Sequence, residues 1–132
     1  MDRRGFMLGL VGAAAALALP EAAEAAVWVP LGTRRVNGLL DVDRIHVGAG
    51  LGTFRRIRIK VRGNALLLYD LRVRYGNGSE DKIPVRVLIP QGGYTRAIDL
   101  SGNDRFIRYV QFTYGKLPNG AGPTFVELYG RR

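Results

Sequence analysis

Apolar and charged side chains alternate with a period of two residues between Phe54 and Ile89, and this pattern constrains the fold more than any other feature. In the first stretch the apolar set is Phe54, Ile57, Ile59 and Val61, and the basic set is Arg56, Arg58, Lys60 and Arg62. A period of two is typical of a β-strand with one buried face. The pattern therefore predicts a strand that turns all four basic residues outward.

Two further stretches continue this alternation. One has Leu67, Tyr69, Leu71, Val73 and Tyr75 on one parity, and the other has Ile83, Val85, Val87 and Ile89. The turn residues Gly76-Asn77-Gly78 between them predict a β-hairpin. The first and second stretches are also predicted to pair as a hairpin, through a three-residue loop at 63–65. That loop aligns Ile57 with Leu71, whereas a two-residue loop would turn Asp70 into the core.

The rest of the chain has no helix-period apolar run of useful length. Weaker strands are expected at 32–36, 44–47, 95–100, 107–114 and 124–129, with a bulge near Arg108 because Ile107 and Val110 break the parity of Phe112. About eight short strands with frequent turns indicate a single antiparallel β-sandwich over 26–132. Jelly-roll-like connectivity is one arrangement that fits, and the strand order stays open.

Residues 1–25 have the features of an export signal peptide. Arg3 and Arg4 precede an apolar stretch that is too short to span a bilayer, which needs about 20 apolar residues. Ala23 and Ala25 provide a small-x-small cleavage pattern, which places cleavage before Ala26. The start of the chain resembles a twin-arginine signal, with Met7 at a position that is commonly leucine. An ordinary general-secretory signal is the alternative. Export implies a periplasmic or extracellular location.

Charge and cysteine content limit the functions that the domain can have. The formal net charge is +9, and because 1–25 contain two basic and three acidic residues, 26–132 carry a surplus of ten positive charges. Such a surplus favours contact with polyanions. The chain has no cysteine, which excludes thiolate catalysis, cysteine metal sites and disulfides.

The candidate polyanion-contact face comprises six basic residues on the predicted first hairpin, namely Arg56, Arg58, Lys60, Arg62, Arg72 and Arg74. Several guanidinium groups on one face are able to bind phosphate or carboxylate with two hydrogen bonds each. The alternative is a solvated outer face whose charges serve solubility and block edge pairing. Most aromatic residues, Trp28 included, fall on apolar parity and are expected in the core, whereas Tyr94, Tyr109 and Tyr129 are left unassigned.

Residues with catalytic or metal-binding chemistry are few. His46 is the only histidine and is expected to face outward, as a surface residue. Asp41 and Asp43 suit a loop before a strand, and the polar run 99–105 suits a tight turn better than a calcium loop. No nucleophile-elbow pattern surrounds Ser79 or Ser101. No catalytic set, metal site or cofactor is therefore predicted.

The sequence resembles a family of small exported bacterial proteins of unknown function. The resemblance covers nearly all of 26–132 and rests on Trp28-Val29-Pro30-Leu31-Gly32, Asp43-Arg44-Ile45-His46-Val47, Gly52-Thr53-Phe54-Arg55, Tyr75-Gly76-Asn77-Gly78, Ile98-Asp99-Leu100-Ser101-Gly102 and Arg105-Phe106-Ile107. It implies an exported β-sandwich-like domain, and no activity or ligand.

Together these features favour a non-enzymatic envelope or binding module whose cationic sheet face contacts an anionic lipid or polymer. The export machinery would be a further partner, through the signal. The alternative is a hydrolase of an envelope polymer that uses a pair of carboxylates from Asp41, Asp43, Asp99 and Asp104, which would have to lie about 5–9.5 Å apart across a cleft. Nucleic acid is a less favoured partner, because export removes the domain from most of it.

Overall fold

The computed structural model describes residues 27–36, 40–116 and 122–132, and the regular structure in these ranges is almost entirely β-strand. The strands are β1 (Val29–Val36), β2 (Leu40–His46), β3 (Arg56–Arg62), β4 (Leu66–Tyr75), β5 (Glu80–Ile89), β6 (Ile98–Asp99), β7 (Ile107–Lys116) and β8 (Thr124–Arg131). A short 3-10 helix, Ala49–Leu51, follows β2. The prediction of about eight short strands is confirmed. The predicted signal at 1–25, with Arg3, Arg4, Ala23 and Ala25, lies outside the described residues.

The strands form two four-stranded antiparallel sheets. Sheet 1 has the order β1-β8-β3-β6 and sheet 2 has the order β2-β7-β4-β5. The first strand pairs with the last, the second with the seventh, and so on inward: β1–β8, β2–β7, β3–β6 and β4–β5. The chain therefore pairs like one long hairpin whose turn lies between β4 and β5, and successive pairs belong to opposite sheets. This arrangement is a jelly roll, a form of the predicted β-sandwich. Only the β4–β5 connection joins two neighbours within one sheet.

The core lies between the two sheets and is made by the inward parity of every strand. Sheet 1 contributes the inward residues of β3 and β8, and sheet 2 contributes those of β4 and β7. The largest fully buried side chains are Tyr75, Tyr114, Phe54, Phe112, Ile57, Ile59, Leu66, Leu68, Leu71, Ile89, Ile98 and Leu128. The alternation seen in the sequence therefore identifies the buried face correctly along most of its length.

The predicted hairpin between β3 and β4 is wrong. The connection does consist of three residues, 63–65, but it carries the chain from sheet 1 to sheet 2, so β3 pairs with β8 and β6 while β4 pairs with β5 and β7. The buried Asn64 side chain holds this arch, since its Nδ2 donates to the Gly122 carbonyl (3.2 Å) and to Thr124 Oγ1 (3.0 Å) at the start of β8. Alternation specifies which face of a strand is buried, and it does not specify the partner strand.

Bulges adjust the parity within sheet 2. The predicted bulge in β7 is confirmed, because Arg74 lies opposite Tyr109 and Tyr75 lies opposite Ile107, which leaves Arg108 as the extra residue. A second register shift falls between Leu68 and Asp70. Because of this shift Leu66 and Leu68 face the core, in place of the predicted Leu67 and Tyr69. The hairpin at Gly76–Gly78 forms between β4 and β5 as predicted.

The jelly roll divides the predicted polyanion-contact face. Arg56, Arg58, Lys60 and Arg62 lie on the outer face of sheet 1, and Arg72 and Arg74 lie on the outer face of sheet 2. The prediction that all six share one surface is therefore wrong, and the predicted alignment of Ile57 with Leu71, which would set Arg58 opposite Asp70, does not form. In the structure Arg58 lies opposite Tyr129, while Asp70 lies opposite Thr113 and Pro84.

Candidate functional site: a cationic and aromatic face on sheet 1

The outer face of sheet 1 is built mainly by β3 and β8. These strands pair antiparallel, so residues of the same parity stand opposite each other: Arg58 faces Tyr129, Lys60 faces Glu127 and Arg62 faces Phe125. The charged residues on this face are Arg35, Arg56, Arg58, Lys60, Arg62 and Arg131, against the acidic Asp99 and Glu127. Basic residues therefore outnumber acidic ones on this face by six to two.

Both acidic side chains of this face are engaged by arginine. Arg56 Nε donates to Asp99 Oδ1 at 2.7 Å, and Arg62 Nε donates to Glu127 Oε2 at 2.7 Å. Within the described part of the chain, Arg35, Lys60 and Arg131 form no ion pair. The face consequently keeps positive charge that is not neutralised by neighbours.

Arg58 lies at the centre of the face among three aromatic rings. Its guanidinium carbon is 4.5 Å from the ring centroid of Trp28, 4.0 Å from that of Tyr94 and 6.0 Å from that of Tyr129. Trp28 is only 5% exposed, yet it is not part of the core cluster. Its ring is therefore buried on the outside of sheet 1, where it supports the arginine through a cation–π contact.

The hydrogen-bonding state of Arg58 distinguishes it from its neighbours. Its Nε is buried and has no hydrogen-bond partner, and no group in the described ranges accepts a hydrogen bond from its other nitrogens. A buried donor without a partner is uncommon and costs about 1–3 kcal/mol. Cation–π contacts with Trp28 and Tyr94 hold the guanidinium in place, while its terminal N–H groups stay available for a carboxylate or a phosphate.

Glu127 and Tyr129 form a hydrogen-bonded pair beside this site. The Tyr129 hydroxyl donates to Glu127 Oε1 at 2.6 Å. Burial acts to raise the pKa of Glu127, but hydrogen bonds from Tyr129 and Arg62 outweigh it and hold the pKa below its ordinary value. Burial and the adjacent carboxylate raise the pKa of Tyr129 to about 12. The pair therefore carries one negative charge at neutral pH and keeps the Tyr129 ring against Arg58.

These shifts predict a dependence of stability on pH. A carboxyl group whose pKa is lower in the folded state than in the unfolded state stabilises the fold at pH values above the unfolded-state pKa. This stabilisation is lost as the pH falls through the folded-state pKa. We expect Glu127→Gln to lower the free energy of unfolding by roughly 1.5 kcal/mol at pH 7, because the hydrogen bonds to the charge are lost. The difference from the unsubstituted protein should shrink as pH falls below about 4.5.

Urea unfolding at a series of pH values measures this effect. Asp70→Asn is the matched control, because Asp70 is an exposed carboxylate on the other sheet with no hydrogen bond or ion pair among the described residues. A difference for Glu127→Gln that stays constant from pH 7 to about pH 3 would show that the Glu127 carboxylate contributes no pH-dependent stability.

A second polar cluster joins the β4–β5 hairpin to the segment 99–105. Ser101 donates to Asp81 from its backbone N–H (3.0 Å) and from its Oγ (2.9 Å), and the Tyr75 hydroxyl donates to the same carboxylate. Arg105 covers the Tyr75 ring at 3.7 Å and donates to the Ser101 carbonyl at 2.7 Å. Burial, together with Asp81, raises the pKa of Tyr75 well above its usual range. These polar groups are hydrogen-bonded to one another, so the cluster holds the 99–105 segment against the β4–β5 hairpin.

The remaining candidates from the sequence are placed as follows. His46 is exposed on the outer side of β2, where its ring packs edge-on against Tyr109 at 5.7 Å. Asp43 accepts a hydrogen bond from the Tyr114 hydroxyl (2.8 Å) and pairs with Arg34 (3.2 Å). A shallow open cavity of about 380 Å³ lies here, lined by Arg34, Val42, Asp43, Arg44, His46 and Gln111. Both Asp41 and Asp43 belong to β2 itself, and not to a loop that precedes a strand.

The four carboxylates proposed for hydrolysis do not gather at one place. Asp41 and Asp43 lie on β2 at one edge of sheet 2, whereas Asp99 lies on β6 at the far edge of sheet 1. Asp104 accepts from Arg55 Nε at 2.9 Å, in the segment that contacts the hairpin. In the ranges that the structure describes, no three histidine or acidic side chains come together as metal ligands would. Of these four carboxylates, only Asp43 lines the shallow cavity beside β2.

Sequence reasoning placed Trp28 in the core and so missed the aromatic surroundings of Arg58. The signal was present in β8, where Val126 and Leu128 alternate with Phe125, Glu127 and Tyr129. Once Val126 and Leu128 are assigned to the core, Tyr129 must face outward together with the basic residues of β3. Trp28 precedes β1, where no alternation indicates a face.

The fold and this face define a small jelly-roll β-sandwich with a basic, aromatic outer surface. Among the residues that the structure describes, no helix is both long enough and apolar enough to cross a membrane. A family model described as a domain of unknown function, DUF2541, matches residues 9–130, and the chain belongs to this family. The match begins inside the predicted signal and so extends further toward the N-terminus than the resemblance noted from the sequence. Neither the curated proteins nor the solved structures contain a match.

Proposed function

We propose that this protein is an exported, non-enzymatic envelope module that binds an anionic polymer through the outer face of sheet 1. The observation that carries the proposal is Arg58, whose guanidinium lies against the Trp28 and Tyr94 rings and whose N–H groups have no acceptor among the described residues. A positioned arginine of this kind forms two parallel hydrogen bonds to a carboxylate or a phosphate. Lys60, Arg131 and Arg35, which form no ion pair with any described residue, extend the positive surface along the sheet, as a repeating polyanion requires.

Export supports an envelope polymer over nucleic acid as the partner. Arg3 and Arg4, the apolar stretch after them, and Ala23 and Ala25 before the expected cleavage site make up the export signal in this proposal. Anionic polymers of the envelope carry carboxylate or phosphate groups at regular intervals. Several basic residues on one flat sheet face suit such a ligand better than they suit a small molecule, which is usually bound in a concave pocket.

Substitution of Arg58 tests the proposal. We expect Arg58→Met to raise the Kd for polyphosphate or polyglutamate by about tenfold or more at low salt, because a hydrogen bond to a charged group contributes about 1.5–3 kcal/mol. Methionine keeps most of the arginine's aliphatic stem, so the fold should be retained. Arg58→Lys should have a smaller effect, since it keeps the charge and loses the planar fork.

Arg72→Met is the matched control because it removes one exposed arginine from the opposite sheet. It should change the Kd by less than about threefold, since only the net charge is altered. Equal losses in the two variants would show that binding depends on net charge alone, and the Arg58 site would be rejected. Absence of binding to either polymer at low salt would reject the proposed function itself.

A further inference from the structure

The outer face of sheet 2 differs from that of sheet 1 because it exposes a row of apolar side chains. The register places Leu40, Gly115, Leu67 and Leu88 side by side across all four strands. Leu40 is 70% exposed and Leu88 is 52% exposed, and Val42 in the next row is also exposed. Between Leu40 and Leu88 lie Gly115, which is buried, and Leu67, which is half-buried. Exposed apolar residues gathered at one end of a sheet face mark a surface that contacts a partner or a membrane.

A row of basic residues lies parallel to this apolar row. Two registers further along the strands, Arg44, Gln111, Arg72 and Lys82 stand side by side. Arg44 is hydrogen-bonded to Gln111 through its Nε (2.9 Å), and among the described residues Arg72 and Lys82 have no ion pair. Between the two rows lie Val42, Thr113, Asp70 and Pro84, and the register shift after Leu68 adds Tyr69 on β4 and Arg86 on β5. Asp70 is the single acidic side chain among these residues.

The spacing of the two rows fits the surface of a lipid bilayer. Leu40 and Arg44 are four residues apart on β2, which corresponds to about 13 Å at roughly 3.3 Å per residue, and Leu67 and Arg72 are five residues apart on β4 because of the register shift. The polar interfacial layer of a bilayer is about 5–7 Å deep on each side. Long basic side chains can direct their charged ends back along the surface by several ångströms. When the leucines enter the acyl region of the bilayer, the charged ends of Arg44, Arg72 and Lys82 would therefore lie at the depth of the headgroup phosphates.

We infer that the end of the sheet 2 outer face that bears Leu40, Leu67 and Leu88 docks on anionic phospholipid. The apolar row enters the interface and the basic row binds the headgroup phosphates. This surface is separate from the Arg58 site, because the two lie on opposite faces of the sandwich. A polymer bound at sheet 1 and a bilayer at sheet 2 can therefore be contacted at the same time.

Cosedimentation with vesicles of phosphatidylcholine, with and without phosphatidylglycerol, tests the inference. We expect binding to the vesicles that contain phosphatidylglycerol and little to phosphatidylcholine alone. The double substitution of Arg72 and Lys82 by serine should weaken binding by about 25-fold, since each basic residue near an anionic leaflet contributes about a factor of five. Replacement of Leu40 and Leu88 by serine should weaken it by about tenfold or more, because the buried apolar area is lost.

The matched control replaces Arg35 and Lys60 by serine, which removes from sheet 1 two charges that form no ion pair within the described ranges. It should reduce vesicle binding by less than about threefold. A loss equal to that of the sheet 2 double variant would overturn the inference, since binding would then follow net charge. Unchanged binding after loss of both leucines would also overturn it.

Site-specific insertion can be measured directly because the protein has no cysteine. A polarity-sensitive dye on Leu88→Cys should shift to shorter emission wavelengths on vesicles, while the same dye on Phe125→Cys, on sheet 1, should not. A shift for Leu88→Cys that depends on protein concentration and not on vesicles would show that a second copy of the chain covers this face, and would reject the lipid surface.

Discussion

Replacement of Gly63 by alanine is expected to lower the free energy of unfolding by about 3 kcal/mol or more. Gly63 begins the arch between β3 and β4 and has a φ of 96°, a conformation that side chains with a Cβ rarely adopt. A Cβ at this position would also lie 2.2 Å from the Pro123 carbonyl oxygen, next to the start of β8. The chain cannot move away freely, because the Asn64 side chain fastens the same loop to Thr124.

Gly78→Ala provides the matched control for this prediction. Gly78 has a φ of 90°, but a Cβ there would meet no atom within 4 Å. Its substitution should therefore cost only the backbone strain, about 1 kcal/mol. Urea unfolding followed by circular dichroism measures both variants. If the two substitutions cost the same, the close approach of the arch to Pro123 is not a determinant of stability, and the arch is looser than the structure indicates.

The arch between β3 and β4 is the part of the fold that could not be predicted from the sequence. Local alternation correctly gives the buried face of β3 and of β4 from Leu71 onward, and the bulge at Arg108 follows from a local break in it. The sheet to which a strand belongs depends on partners far along the chain: β3 pairs with β8, and Lys60 is opposite Glu127. Nothing in residues 54–75 alone separates a hairpin from an arch, because both need a short loop with glycine.

Pairing between strands far apart in the chain also limited how much of the candidate site could be predicted from the sequence. The outward direction of Arg58 and Lys60 followed from parity, and both do face outward from sheet 1. The division of the basic residues between two faces did not follow, because it depends on the jelly-roll order. The aromatic surroundings of Arg58 come from three separate parts of the chain, at Trp28, Tyr94 and Tyr129. Their meeting is a property of the tertiary fold.

The division of charge has a physical consequence for the domain. Six basic residues on one face of a single hairpin would repel each other across strands, since like charges directly opposite are destabilising. In the jelly roll, β3 faces Glu127 and Tyr129 on β8, while β4 faces uncharged residues of β7 such as Gln111 and Thr113. Like charges still stand opposite each other at Arg56 and Arg131 and at Arg72 and Lys82, so the main effect of the observed pairing is two positive faces with different chemistry, one aromatic and one bordered by leucines.

Replacement of Phe112 by alanine is expected to destabilise the fold by about 3–5 kcal/mol. Phe112 is fully buried in β7, with Asp43 and Leu71 opposite it on the flanking strands and the Tyr114 ring 5.6 Å away. Its removal leaves a cavity that neighbours in two strands cannot fill without breaking the sheet register. Domains of this size have a total stability of about 5–15 kcal/mol, so the variant should be near the limit of folding at 37 °C.

Phe106→Ala is the matched control, because the same side chain is 54% exposed at Phe106 and the change should cost less than about 1 kcal/mol. Two probes follow unfolding independently: circular dichroism reports both sheets, and the single tryptophan, Trp28, reports the outer face of sheet 1. Coincident transitions are expected, since both sheets share one core and should unfold together. Similar losses for Phe106→Ala and Phe112→Ala would contradict the inward parity of β7, and with it the placement of the core between the two sheets.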